Sequence, residues 1–426
     1  MKPLTEKIHS CDQMTIHTVP TDKYKTTSLI MMMKAPLEQE TVALRALLPQ
    51  VLQNGTASRP SRKELRQTLD EMYGALFTTD VQKKGEQHII TLRLEVANEQ
   101  FLSDSTPLLK QATTLLAEIL LHPRLEGDTF VNSVLETEKR SLIQRIESVY
   151  DDKMRYANVR VTEEMCKGER FALTAFGTAE EVQAITAESL HDYYVNAIRT
   201  NQFDLYLVGS FEEEQALADV REAFAPLIAI NKPANQLVTT ESPDVDEIRV
   251  VHEAQDVKQG KLHIGFRTYL TYSDEDYVAM QVCNGLFGGF SHSKLFINVR
   301  EKESLAYYAA SRLESHKGIM MVMSGIEFAK YERAVEIIKE QFAAMQQGDF
   351  STDEVEQTKA MLKNQILETA DVARGYVELL YHQVISGSKR TLSEWLEQVD
   401  AVTKEDIVRV AKHVKLDTIY FLKGKE

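Results

Sequence analysis

A chain of 426 residues, 43% hydrophobic and 27% charged, has ordinary globular composition and is too long for a single hydrophobic core. Its 64 acids against 49 lysines and arginines give a net charge of -15, which argues against nucleic acid and anionic membrane as main partners. No run approaches the ~20 apolar residues of a membrane span. The three cysteines, Cys11, Cys166 and Cys283, lack metal-ligand or redox spacing and fit a reducing compartment. The opening MKPLTEKIHSCDQMT has no apolar core of a signal peptide, so a cytoplasmic protein is expected.

In chain order, SLIMMM, within 28–35, predicts a strand with its methionines in the sheet core. ETVALRALLPQVLQNGT (40–56) predicts an amphipathic helix. Leu44, Leu47, Leu48, Val51 and Leu52 form its apolar face. Arg45, Ala46, Pro49, Gln50 and Gln53 form the other face, and Asn54-Gly55 is its stop. Pro49 removes a helix hydrogen bond and clashes with the preceding turn, at roughly 3 kcal/mol, so a kink is expected. Strands follow at 87–96 and 203–208, with helices at 134–146 and 185–198 between them. A polar, proline-bearing connector at 230–247 separates 1–229 from 248–426. The second part has strands at 261–269, 305–313, 318–326 and 418–422 and a long helix at 352–371. GLFGGF (285–290) reads as a helix C-cap and turn, since no phosphate-loop frame surrounds it.

The two parts repeat one another. VLETEKRSLIQRI (134–146) answers VEQTKAMLKNQI (355–366), with Lys139 opposite Lys359. ITAESLHDYYVNAI (185–198) answers VTKEDIVRVAKHV (402–414), each opened by a threonine suited to N-cap a helix. YLVGS (206–210) answers YFLKG (420–424), and TVALRALLPQVLQNG answers YVAMQVCNGLFGG. Matching elements in one order indicate duplication. The class is α+β: two duplicated half-domains, each a mainly antiparallel sheet with helices packed on one face.

FGGFSHSKLFINVREKESLAYYAAS (287–311) resembles the second-half signature of the M16 (pitrilysin or insulinase) metallopeptidases. FALTAFGTAEEVQAITAESLHDYYVNAIRTNQFDLYLVGSF (171–211) resembles the end of their first half, so the similarity spans nearly the whole chain. LLPQVLQNGT, EMYGALF and REKESLAYY most resemble the family's inactive, YmfF-like bacterial branch. The resemblance implies the M16 fold and, in active members, a zinc motif H-x-x-E-H followed by Gly-Thr and a later glutamate ligand. Counted from Gly55-Thr56, the motif falls on Ala46, Pro49 and Gln50, and the later ligand on Arg145. Ala46 has no donor, Pro49 no base, Gln50 a weak neutral oxygen, and Arg145 repels a dication. Among the eleven histidines none are spaced i, i+4, and the nearest pair, His9 and His17, reads as surface. No zinc is expected in this chain.

The resemblance also implies that an arginine and a tyrosine in the second half reach substrate, here Arg300 and Tyr307. A guanidinium offers donors to peptide carbonyls, and a phenol can donate to a developing oxyanion. Taken alone, Arg300 reads as a solvated ion pair with Glu301 or Glu303, and Tyr307 as half-buried strand packing, with Tyr308 facing the opposite side. The expected function is a non-catalytic, peptide-binding subunit whose zinc sits in a partner chain bearing H-x-x-E-H. A structural scaffold or homodimer is the other reading, and no nucleic acid or membrane partner is expected.

Overall fold

In the computed structural model, described for residues 4–11, 13–103, 106–230 and 242–425, the secondary structure falls into two runs of like order. The first comprises β1 (Lys7–Ser10), β2 (Met14–Pro20), β3 (Thr26–Pro36), α1 (Val42–Leu52), α2 (Arg62–Glu71), β4 (Leu76–Lys84) and β5 (Gln87–Ala97). It continues through α3 (Leu108–Leu121), the small hairpin β6 (Leu125–Glu126) and β7 (Thr129–Phe130), α4 (Asn132–Glu147) and α5 (Lys153–Met165). It ends with α6 (Ala179–Ala184), α7 (Ala187–Thr200), β8 (Gln202–Gly209), α8 (Glu213–Ala223) and α9 (Ala225–Ile228). The expected connector at 230–247 lies largely outside the described residues, which omit 231–241.

The second run opens with β9 (Arg249–Gln255), β10 (Gly260–Arg267) and α10 (Tyr277–Asn284). Two wide, π-type helical segments (Gly285–Gly289 and Leu295–Lys302) lead to β11 (Ala306–Glu314) and β12 (Ile319–Ile326). Then come α11 (Tyr331–Gln347), α12 (Thr352–Ala370), α13 (Ala373–Ser386), α14 (Leu392–Ala401), α15 (Lys404–His413) and β13 (Lys415–Gly424).

The duplication is visible strand by strand. The first sheet runs β1-β2-β8-β3-β5-β4, the second β9-β13-β10-β12-β11 read from its parallel edge. In each, one parallel pair (β2 with β8, β9 with β13) adjoins antiparallel neighbours. The matched lysines have matched roles. Lys139 Nζ donates to Glu136 (2.9 Å) and to the Ile185 carbonyl (2.9 Å). Lys359 Nζ donates to Glu356 (2.9 Å) and to the Asp400 carbonyl (3.1 Å). Thr186 and Thr403 each close a capping box at the next helix.

Each half lends a helix to the other. The α5 residues Tyr156, Ala157 and Val161 pack on Tyr420 and Leu422 of the second sheet. The α13 residues Tyr376, Val377, Leu380 and Tyr381 pack on Ile30, Met32, Ile89 and Tyr206 of the first. This explains the Met31–Met33 run: Met31 and Met33 face the main core and Met32 faces α13, so both sides of β3 are apolar.

The β4–β5 and β11–β12 turns meet where the halves join. Lys317 Nζ is paired with Glu86 (2.6 Å) and Glu169 (2.7 Å), all largely buried. Arg267, fully buried, holds Glu169 (2.6 Å) and Asp417 (2.9 Å). Gly85 has φ +53°, and a Cβ there would lie 2.5 Å from the His316 carbonyl oxygen. Gly85→Ala is therefore expected to cost at least about 2 kcal/mol, read as a lowered urea midpoint. An unchanged midpoint would contradict this close approach.

Candidate functional site

Helix α1 runs unbroken through Pro49. Leu47, Leu48 and Leu52 on it are fully buried, and each such burial stabilises by roughly 1.5–3 kcal/mol, enough to offset the proline. The expected polar face is a correction: Arg45, Ala46 and Pro49 are buried as well. Arg45 is fully enclosed and donates to Tyr193 Oη (2.7 Å), Asn201 Oδ1 and the carbonyls of Met33 (2.9 Å) and His88 (2.9 Å). Four neutral acceptors, from β3, β5 and α7 with its C-cap Asn201, replace water at the two terminal nitrogens, while Arg45 Nε is buried without a partner.

The positions that the resemblance assigns to zinc ligands lie on α1 and α4, which pack on one another. Ala46 is buried among apolar side chains. Gln50 Oε1 accepts from Gln53 Nε2 (2.8 Å). Asn54 Nδ2 bridges the Gln50 carbonyl (2.7 Å) and Glu138 Oε1 (3.0 Å). Arg145 is exposed and stacks on the Phe176 ring at 4.3 Å. Glu138 is thus the carboxylate at this junction, and a neutral amide holds it. This donor set does not fit zinc, which needs imidazole, thiolate or carboxylate ligands together. Among the described residues no three His, Cys, Asp or Glu side chains converge to hold an ion.

His17 is another correction, because it is buried rather than on the surface. Its Nδ1 meets Glu6 Oε1 at 2.7 Å and its Nε2 meets Asp204 Oδ1 at 3.3 Å. The two carboxylates engage opposite ring nitrogens and so cannot share one metal with it.

Arg300 and Tyr307 flank a turn between the second π-type segment and β11. GLFGG continues α10 as a wide helical turn instead of capping it, and Arg300 lies in the second such segment. Leu305 N donates to the Val299 carbonyl (3.0 Å), Ser304 takes φ +49°, and Lys330 Nζ holds the Ser304 carbonyl (3.2 Å). Arg300 lies 3.5 Å from Glu301 and over the Phe296 ring at 4.6 Å.

Tyr307 is not half-buried strand packing. In β11, Ala306 pairs with Ile326 and Tyr308 with Gly325, so Tyr307 is the extra residue of a β-bulge. It is 72% exposed. Its neighbour Tyr308 takes the packing role, against Gly325 and under Lys261 Nζ (5.6 Å), and burial pushes its phenol up to about 12. One bulge divides two adjacent tyrosines between wall and surface.

Residues 184–362 match the family model described as the peptidase M16 inactive domain. The chain is 50% identical over 413 residues to the probable inactive metalloprotease YmfF of Bacillus subtilis, covering 97% of this chain and 96% of that protein. A conserved protein from Enterococcus faecalis V583 has a crystal structure similar over 99% of both chains, with TM-score 0.92 and 32% identity. The mitochondrial-processing peptidase subunit beta of Saccharomyces cerevisiae is 25% identical over 324 residues, 71% of this chain and 68% of that protein. At 50% identity across 97% of its length to that probable inactive metalloprotease, the chain belongs to the M16 (pitrilysin/insulinase) metallopeptidase family, in its inactive YmfF-like branch.

Proposed function

We propose that this chain is the non-catalytic, peptide-binding subunit of a heterodimeric M16-type zinc peptidase. The partner carries H-x-x-E-H and the zinc; Arg300 grips the substrate backbone and Tyr307 donates to the oxyanion formed there. The observation that carries this reading is the bulge, which holds the Tyr307 phenol outward with no packing role of its own, seven residues after the exposed Arg300. A relative named as a subunit of a processing peptidase supports the paired arrangement. The substrates are short or unfolded peptides. The setting is the cytoplasm, which accords with three free cysteines; no helix among the described residues is long and apolar enough to cross a membrane.

The test is co-expression with an H-x-x-E-H homologue from the same genome and a peptide-cleavage assay. Tyr307→Phe is expected to lower kcat about 10²-fold or more, the effect of removing one oxyanion donor. Arg300→Ala is expected to raise KM as well. Cleavage by the chain alone with zinc would overturn the proposal. A stable complex with full activity in both variants would assign the chain a scaffold role instead.

A further inference from the structure

The two sheets differ at one edge. In the first, β2 runs parallel to β8, and β1 covers its outer side antiparallel, from Lys7 opposite Thr18 to Ser10 opposite Thr15. In the second, β9 takes the place of β2, parallel to β13, and among the described residues no strand covers its outer side. Tyr206 of β8 pairs with His17, and its counterpart Tyr420 of β13 pairs with Val251. The stretch that β1 covers, 15–18, therefore corresponds to 249–252. The repeat within the fold shows that an edge of this kind accepts an antiparallel strand.

An open edge is a template for another strand, and folded chains usually blunt it. β1 is four residues long and opens with Lys7, β4 ends in Lys83 and Lys84, and β11 carries the bulge at Tyr307. β9 has seven residues in unbroken register, with no lysine, proline or bulge. The Gln255 carbonyl turns inward, to Lys425 N (3.0 Å), so by alternation Val250, His252 and Ala254 turn their N–H and C=O groups outward. Ile248 and Val250 stand 47% and 55% exposed beside them. The sequence here is complementary to itself. Antiparallel about Val251, Arg249 falls opposite Glu253, Val250 opposite His252 and Ile248 opposite Ala254. The outward groups of Val250 and His252 then exchange hydrogen bonds, and Val251 meets its own copy. Arg249 touches Glu164 of its own chain, through the carbonyl and at 3.7 Å through the carboxylate, and its side chain stays half exposed.

We infer that β9 pairs antiparallel with β9 of a second copy of this chain, across a twofold axis at Val251. Such a contact uses the same surface on both copies, so it closes as a dimer and does not propagate. β11 is the opposite edge of the sheet, so Arg300 and Tyr307 lie away from this contact. The inference is independent of the heterodimer.

Sedimentation equilibrium of the full chain, with no other M16 protein present, tests it. Twice the chain mass is expected at micromolar concentration. Arg249→Glu, which sets glutamate against glutamate on both sides of the axis, is expected to raise the dimer dissociation constant about a hundredfold, and Val250→Lys about tenfold. Both side chains are about half exposed, so both variants should fold, with the far-UV circular dichroism of the parent. Opposed residues of an antiparallel pair lie within disulfide reach, so Val251→Cys oxidised with diamide is expected to give a covalent dimer that the parent does not form. A monomeric parent would overturn the inference and leave the edge to a strand of another protein. A dimer as tight as the parent's in either charge variant, or no covalent dimer from Val251→Cys, would overturn it as well.

Discussion

Lys317→Ala is expected to destabilise the protein by roughly 3–5 kcal/mol, the cost of stripping one member from a buried ion pair. Lys317 sits in the β11–β12 turn of the second half. Its partners are Glu86, in the β4–β5 turn, and Glu169, after α5. Side-chain exposures of 2% for Lys317 and 4% for Glu86 leave no water to replace the lost ammonium. Glu169 keeps Arg267, but Glu86 keeps no cation. The measurement is a urea denaturation curve. The double variant Lys317→Met with Glu86→Gln should recover part of the loss, because it removes the stranded charge together with its partner. A loss below about 1 kcal/mol in Lys317→Ala would mean that the network is not part of what joins the halves.

The second large effect is with pH. Burial, the largest cause in each case, pushes His88, His263 and His382 down to about 3 and His316 to about 2. The Arg45 charge adds to the shift at His88, His382 to that at His316, and Lys84 to that at His382. The native chain therefore keeps these rings neutral, while an unfolded chain protonates them near pH 6.5. Folded values below the unfolded value mean stability that is full above about pH 6.5 and lost as pH falls toward 3.

His17 acts in the opposite sense. Burial would lower it, but its hydrogen bonds to Asp204 and Glu6 outweigh burial and raise it. Its contribution is present in acid and lost as pH rises through its native value. Around pH 5 His17 is protonated in both states and offsets nothing, so the four depressed histidines set a net uptake of about four protons on unfolding, or roughly 5 kcal/mol per pH unit.

Urea midpoints between pH 7.5 and 4.5 should fall accordingly, above the range where most carboxylates titrate. His263→Leu isolates one of these groups. Both His263 ring nitrogens are buried without partners, so leucine should raise stability at pH 7 and flatten the acid limb. A midpoint constant from pH 7 to 5 would contradict this account.

Most strands that could be read from sequence are central, the edge strand β11 being the exception. β3, β8 and β12 are apolar for most of their length because both faces are covered, and such a run survives without knowledge of neighbours, whereas β10 is legible through the alternation of Leu262, Ile264 and Phe266. The strands not predicted as such were β1, β2, β4 and β9. β1, β4 and β9 lie at or beside sheet edges, where exposed positions dilute the pattern. Nothing in the amphipathic sequences of α5 and α13 says which sheet each covers. The exchange of the two helices depends on where the chain can reach after α4 and α12.

Residue identity alone carries the expectation that this chain lacks zinc chemistry: at the positions that the resemblance assigns, alanine has no donor, proline no base, and arginine carries the wrong charge in any fold. The doubled order of elements was equally local, carried by spacing, N-caps and one lysine in each half. Tertiary structure decided what depends on neighbours. Arg45 lies inside because β3, β5 and α7 bring four acceptors to it. Tyr307 points out and Tyr308 packs in because β11 carries one residue more than β12 pairs. Donor chemistry belongs to a side chain, whereas burial and direction belong to the surfaces that meet it.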